Sequence, residues 1–439
     1  MPTPTKSNQI QPAQVYQQLV LPALAPCAKG DSRRKNASYT ALDALKSGYA
    51  IFHLKAPSLF GFRPKLAIEK QNLHSVYGID RIPSDNGLRD ILDRLTAQDL
   101  NEGFHRVLPF LESQQVAPTY RYWNEHYVVS VDGVQHQCSN KVKCSYCLER
   151  RHQNGTVSYS HSMLSGALVC PKQRPVFVVD NEPIVRQDGE TKNDCERSAA
   201  KRFFARQATV NSDRSMVYVL DTLYACAPIV TLITQSSPQW KYLINAKESG
   251  SKYLFEQFDE LNARGKVRWK MKRRKGGSYE LGYTNDVALN KSNEGMRVNV
   301  LYCRVKEASD KEVVFSYLTN IELHHSNLMA VLEMGRSRWK IENEVFNTLK
   351  NQEYNYGHNY DHGKENLATN FAYLMMLAFT ADQLLECCNR AFGRVLKKLR
   401  TRIKLWEVQR SVMLTTVMDN LDEVWRKMLE MCGLRVMQI

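Results

Sequence analysis

Three carboxylates stand in positions suited to phosphoryl transfer. Asp132 closes the run Tyr127-Val-Val-Ser-Val131, and Asp221 closes Met216-Val-Tyr-Val-Leu220. Both runs are short, apolar and β-branched, the pattern of buried strands. Carboxylates at the ends of neighbouring strands point into one crevice, repel each other there, and are reconciled by divalent cations between them. Two such metals activate an attacking oxygen and stabilise a leaving one. The third acid, Glu342, lies in Arg336-Ser-Arg-Trp-Lys-Ile-Glu-Asn-Glu-Val-Phe-Asn-Thr-Leu-Lys350. At helical spacing Arg338 and Glu342 share a face, and Ile341, Val345, Phe346 and Leu349 supply the packing side. Taken singly, each acid has a plainer reading. Asp132-Gly133 is a common turn pair, and Arg338 with Glu342 makes an ordinary surface ion pair. Asp221 resists that treatment more, because its apolar strand runs on into Thr222-Leu-Tyr224.

Other clusters are secondary to these. Cys144-Ser-Tyr-Cys147 has His152 five residues on and His136 or Cys138 just upstream, which suits a tetrahedral Zn²⁺ knuckle formed by Cys138, Cys144, Cys147 and His152. Arg264-Gly-Lys-Val-Arg-Trp-Lys-Met-Lys-Arg-Arg-Lys275 is the densest basic run. Its alternation with Val267, Trp269 and Met271 fits a strand with one phosphate-facing side, including Arg273 and Arg274. Trp269 is placed to stack on a base flipped out of a duplex. Arg394 to Lys404 forms a basic amphipathic helix, equally suited to DNA or to solvent. His358 and His362 follow the acidic helix, suited to its crevice or to a structural role.

These residues need a scaffold that positions them. The chain has 439 residues, 43% hydrophobic, which predicts more than one domain or a core with large insertions. A net charge of +15 favours a polyanionic partner. Eleven cysteines, an odd number, and a polar start with no apolar leader predict a reducing, cytoplasmic setting without a disulfide framework. The most apolar stretch, Phe371 to Ala381, reads as too short for a membrane span.

Along the chain, residues 1–37 are polar and end in Arg33-Arg-Lys35, the pattern of a mobile basic arm. Residues 38–120 carry helical periodicity, with Ser84 and Asp85 where an N-cap belongs, and predict a helical DNA-binding domain. Strand patterns dominate 121–245, followed by a Gly-punctuated, β-rich insertion at 246–310. A strand at Val313–Thr319 and a long helix over 326–350 complete the core by 380, and a helical region occupies 381–439. The fold class predicted is α/β with mixed strand pairing.

Arg338-Trp-Lys-Ile-Glu342, with Phe346 and Lys350 after it, resembles the signature helix of insertion-sequence DDE transposases, Tyr-x2-Arg-x3-Glu-x6-Lys. Tyr127-Val-Val-Ser-Val-Asp-Gly133 and Val217-Tyr-Val-Leu-Asp-Thr-Leu-Tyr-Ala225 resemble the two Asp strands of that family. Gln187-Asp-Gly, Lys192-Asn-Asp-Cys-Glu-Arg197 and Asn355-Tyr-Gly-His-Asn-Tyr-Asp-His-Gly363 resemble a subgroup of it. The resemblance runs from about Ile82 to Cys388. It implies a ribonuclease H-like core with a β insertion, and two Mg²⁺ or Mn²⁺ ions on Asp132, Asp221 and Glu342. It implies contacts of Arg338 and Lys350, with Arg336 and Lys340 beside them, to double-stranded DNA at inverted-repeat ends and target. It further implies a homodimeric synaptic complex in a bacterial cytoplasm, and cleavage at transposon ends followed by 3′-OH strand transfer. Two departures matter. Gly335 stands where the family has Tyr, and Lys350 lies eight rather than seven residues after Glu342, about 100° further round an α-helix. Glu344 is therefore an alternative third acid, though the match at Arg338-Trp339 and Ile341 favours Glu342. A catalytically silent DNA-binding protein and a nuclease that cuts without joining stay open as other functions.

Overall fold

The computed structural model describes residues 9–33, 37–184, 186, 195–274, 277–307, 312–358 and 360–436. The Gln187-Asp-Gly stretch, residues 192–194, Arg34, Lys35 and Asn359 lie outside these. An eleven-stranded mixed sheet forms the centre. Its strands are β1 (Arg121–Tyr122), β2 (His126–Ser139), β3 (Leu148–Arg151), β4 (Val157–Cys170), β5 (Gln173–Ile184) and β6 (Met216–Leu220), then β7 (Trp240–Asn245), β8 (Arg268–Arg274), β9 (Gly277–Ala288), β10 (Arg297–Glu307) and β11 (Glu312–Thr319). Their order is β3-β4-β2-β6-β7-β11-β10-β9-β8, with β5 also on β4 and β1 on β2. The pairs β2·β6 and β6·β7 are parallel. All five residues of β6 are buried, as a strand covered on both faces requires.

Several expectations change in the structure. Asp132-Gly133 is not a turn. β2 runs on to Ser139 because its ladder with the long β4 continues as far as Ser139 opposite Tyr159. The β-rich segment after residue 245 is continuous with the main sheet. It begins with the helix Lys252–Ala263, and β8 to β10 extend the main sheet because β11 pairs with both β7 and β10. The helix expected over 326–350 is broken. Leu328–Arg336 ends in a turn at Ser337 and Arg338, a wide π turn spans Ile341–Phe346, and Asn347–Asn351 is α-helical again.

The expected mobile arm is helical from Pro12 to Lys29, with one face buried. Leu19, Val20, Ala23, Leu24 and Cys27 enter the core. Asn389 donates to the Ile10 carbonyl (2.9 Å), and the Ala13 amide donates to Asp422 (2.8 Å), so the N-terminal segment is locked against C-terminal helices. Its apolar face outweighs the polar and proline content that suggested an arm. The predicted boundary at 380/381 falls inside one helix, Leu367–Cys388. That helix has 22 residues and is long and apolar enough to cross a membrane, unlike the shorter stretch read from sequence. However, 89% of its most apolar window is buried inside the protein, so its hydrophobicity serves the core shared by the N- and C-terminal helices. Asn370 on this helix donates to the carbonyls of Leu92 (2.7 Å) and Leu95 (2.9 Å). It thereby satisfies the end of the Asp85–Arg94 helix, whose start is capped by Ser84 as the sequence predicts.

A buried charge pair fastens the helical layer. Lys55 Nζ lies 2.6 Å from Asp382, and over the rings of Tyr354 and Trp406 at 4.3 and 4.0 Å. Burial holds the Lys55 ammonium below its ordinary pKa, while Asp382 opposes that shift. Replacing Asp382 with Ala strands a buried cation, with an expected cost of about 3–5 kcal/mol in denaturant unfolding. A change under ~1 kcal/mol would mean that the pair does not hold the layer.

Candidate active site and a thiol–imidazole cluster

The parallel ladder of β2 and β6 ends at Ser130 opposite Val219, and that of β6 and β7 at Leu220 opposite Ile244. Asp132 lies just beyond the first and Asp221 directly beyond the second. Both acids therefore sit where the parallel pairing ends, Asp221 at the carboxyl end of β6 and Asp132 within β2 beside it, the edge at which open α/β sheets form their crevices. Asp221 accepts a hydrogen bond from the Leu223 amide (2.8 Å) and caps the short helical turn Thr222–Tyr224. Arg338 joins strand to helix. One guanidinium nitrogen is 2.8 Å from Asp132 and another is 2.8 Å from Glu342. Arg338 is only 7% exposed, and the Ser130 hydroxyl donates to its carbonyl (2.9 Å). This brings the Glu342 turn against the Asp132 strand.

The charges are under-compensated. Burial pushes the Asp132 carboxyl up to about 7. Arg338 opposes that shift, and Glu342 and Asp221 add to it. A fourth acid, Glu196, is raised mainly by burial and also by Asp221, against the lowering effect of its hydrogen bond from Tyr224 (3.1 Å). Glu196 fills the space beside Gly133, where a Cβ would come within 2.6 Å of its carboxylate. Sequence reasoning gives Glu196 no role. Its signals are Gly133, which proves to lie inside a strand, and the 192–197 motif itself. One buried guanidinium against these acids leaves a crevice of oxygen donors that favours hard divalent cations.

Glu344 points elsewhere, 3.5 Å from Arg174, and Lys340 turns inward to the Gln173 carbonyl. Glu342 is thus the acid brought to Asp132. Gly335 has a local reason, since a Cβ there would meet the Tyr317 ring at 2.5 Å, so Tyr317 occupies the space of a side chain at 335. Lys350 is exposed. The Ile341–Phe346 π turn holds about one residue more than an α turn, which offsets the extra residue between Glu342 and Lys350.

The other expected DNA contacts divide. Arg336 is exposed over the Phe315 ring (5.0 Å), and Trp339 is 52% exposed. Arg273 and Arg274 are exposed on the edge strand β8. Trp269 is not free to stack as expected. Its ring lies flat on Gly282 and its Nε1 donates to Asn262 (2.9 Å). It forms one wall of a groove of about 620 Å³, which Tyr302, Phe315 and Trp339 also line.

Of the four zinc ligands expected, the structure brings together two. Cys144 and Cys147 sulfurs are 3.8 Å apart, His161 Nε2 is 3.3 Å from Cys144, and His362 Nε2 is 3.1 Å from Cys147. All four donor atoms lie within 4.8 Å of one another. Cys138 is exposed, and His152 bonds Ser158 (2.8 Å) instead. The hydrogen bond to Cys147 is the main factor pulling Cys144 toward the thiolate, aided by His161 and His362 against burial. Sequence reasoning misses His161 and His362 as ligands because only folding brings their segments to the knuckle.

No family model matches the chain, and no curated protein matches it either. Among solved structures, a piggyBac transposase synaptic complex with hairpin DNA aligns at TM-score 0.42 and 10% identity, covering 98% of this chain and 84% of that one. So distant a likeness carries no functional weight beside the site's own chemistry.

The raised Asp132 pKa makes a signed prediction. The native state holds a proton there that the unfolded chain releases near 3.8, so this group's stabilising contribution is lost as pH rises from about 4 to 7. In metal-free buffer Asp132→Asn is expected to become progressively more stable than the parent across that window and to level off above it. Each tenfold difference in proton affinity between the folded and the unfolded chain contributes about 1.4 kcal/mol to that gain. Thermal unfolding at pH 5 and pH 8 checks it, and an Asn variant less stable at pH 8 would contradict the assigned crowding.

Proposed function

We propose that the chain is a DDE-type DNA transposase with a ribonuclease H-like core, and that Asp132, Asp221 and Glu342 are its catalytic carboxylates. The observation that carries this is the convergence of the three acids, from two adjacent parallel strands and one helix, on a crevice where burial and the neighbouring acids push the Asp132 pKa up. The strand order β5-β4-β2-β6-β7, antiparallel in its first pairs and parallel in its last, supports the ribonuclease H-like reading. The donor set is all carboxylate oxygen, which fits Mg²⁺ or Mn²⁺. When bound, two such ions would supply activation of the attacking oxygen and stabilisation of the leaving one.

The chain's own residues do the rest. Asp132 would give up its proton to let its carboxylate hold a cation, Arg338 keeps the Glu342 turn against the Asp132 strand, and Glu196 adds negative charge behind Gly133. Exposed Arg336, Lys350, Arg273 and Arg274 supply phosphate contacts, and the exposed face of Trp339 offers a stacking surface for unpaired bases near the site. The partner is double-stranded DNA, at inverted-repeat ends and at the target, with two copies of the chain holding two ends.

A labelled DNA carrying the element ends, incubated with Mg²⁺ or Mn²⁺, tests this. Cleavage and 3′-OH joining are expected, falling at least ~10³-fold in Asp132→Ala, Asp221→Ala and Glu342→Ala and persisting in Glu344→Ala. Cleavage without joining would instead assign a nuclease. Tight binding without cleavage would assign a catalytically silent DNA-binding protein.

A further inference from the structure

We propose that Cys144, Cys147, His161 and His362 together hold one structural Zn²⁺ ion, which ties the sheet strand next to the Asp132 strand to the segment that follows the Glu342 helix.

The spacing fits a tetrahedron. Zn–S bonds of about 2.3 Å and Zn–N bonds of about 2.0–2.1 Å give tetrahedral edges of ~3.8 Å between sulfurs and ~3.6 Å between sulfur and nitrogen. The sulfurs are 3.8 Å apart, and two of the four sulfur–nitrogen edges are 3.3 and 3.1 Å, within about half an ångström of that requirement. The sulfurs are far outside disulfide length. The donor chemistry, two thiols and two imidazoles, selects Zn²⁺ over the hard cations expected at the carboxylates.

The rings are oriented for ligation. His362 Nδ1 lies 3.0 Å from the Gly363 carbonyl, which only an N–H satisfies. In the neutral ring that ligates a metal, Nε2 is then the free nitrogen, and it faces Cys147. A backbone carbonyl fixing the tautomer from behind is the usual support of a metal-bound histidine. Cys147, His161 and His362 are all buried, and Cys144 is half-buried. A buried set of this kind closes to solvent around an ion, as structural sites do and catalytic sites with an open position do not.

The ligands come from three separate stretches. Cys144 and Cys147 lie in the turn between β2 and β3. His161 is on β4 opposite Gln137, on the same ladder that pairs Asp132 with Ser165. His362 lies between the helix ending at Asn351 and the core helix Leu367–Cys388. An ion there braces the elements carrying Asp132 and Glu342 from outside the crevice, without touching it.

The first test is the metal content of the full-length protein purified without chelators from zinc-supplemented cells. About one zinc per chain is expected, and Co²⁺ exchanged in its place should show tetrahedral d–d and thiolate-to-metal absorption. Cys144→Ser, Cys147→Ser, His161→Ala and His362→Ala should each lose the ion, while Cys138→Ser and His152→Ala should keep it. His362→Cys should retain it with a third thiolate, which separates loss of a ligand from loss of fold. A wild-type protein that takes up neither Zn²⁺ nor tetrahedral Co²⁺ overturns the proposal, as does loss of metal in the Cys138 or His152 variants. Neither readout involves DNA, so the zinc site is tested independently of the transposase reading.

Discussion

The candidate site depends on one buried ion pair network, Arg338 between Asp132 and Glu342. A guanidinium presents several donors in a rigid plane and can therefore fix two carboxylates at once in a set geometry, where a lysine ammonium would act as a freely rotating point charge. Here one acid comes from a sheet strand and the other from a helix, so the guanidinium sets the distance between two layers of the protein. The backbone of Arg338 is tied to the same strand through Ser130. Gly335 lets the helix approach the Tyr317 ring, and the turn at Ser337 and Arg338 re-aims the chain before the π turn that carries Glu342.

The network is incomplete as electrostatics. Glu196 and Asp221 add negative charge that Arg338 does not pair, and Asp132 responds by holding its proton toward neutrality. Buried acids in this state are a demand for cations rather than a source of stability. Lys55 and Asp382 make the contrast. That pair is more deeply buried, but its charges balance and aromatic rings face the ammonium, so it serves packing.

Around the site, the sheet does two jobs. Its central parallel strands create the crevice, and its continuation through β11 to β8 carries the basic, exposed edge residues away from it on the same rigid surface. The helical layer, built on Leu367–Cys388, joins both ends of the chain into one core, and the segment carrying His362 leads directly into that helix. The candidate carboxylates, candidate DNA contacts and the thiol–imidazole cluster are thus set by one connected framework.

Much of this was legible in the sequence where the information is local. Apolar β-branched runs ending in Asp132 and Asp221 determined the two buried strands and their acids, the Arg338 and Glu342 spacing determined a shared face, and Ser84 marked the start of the Asp85–Arg94 helix. Each depends on residues within a few positions of one another, whose periodicity and chemistry act directly on the backbone. Only the tertiary structure decided what depends on distant partners. It sent Glu344 to Arg174 and Glu342 to Arg338, placed Glu196 against Gly133, laid Trp269 on Gly282, and drew His161 and His362, rather than Cys138 and His152, to the cysteine pair. It also buried the N-terminal segment, whose polar composition concealed an apolar face that needed the C-terminal helices to cover it. Sequence spacing fixes which way a side chain leaves its own element, but the groups it meets there are fixed by how the elements pack.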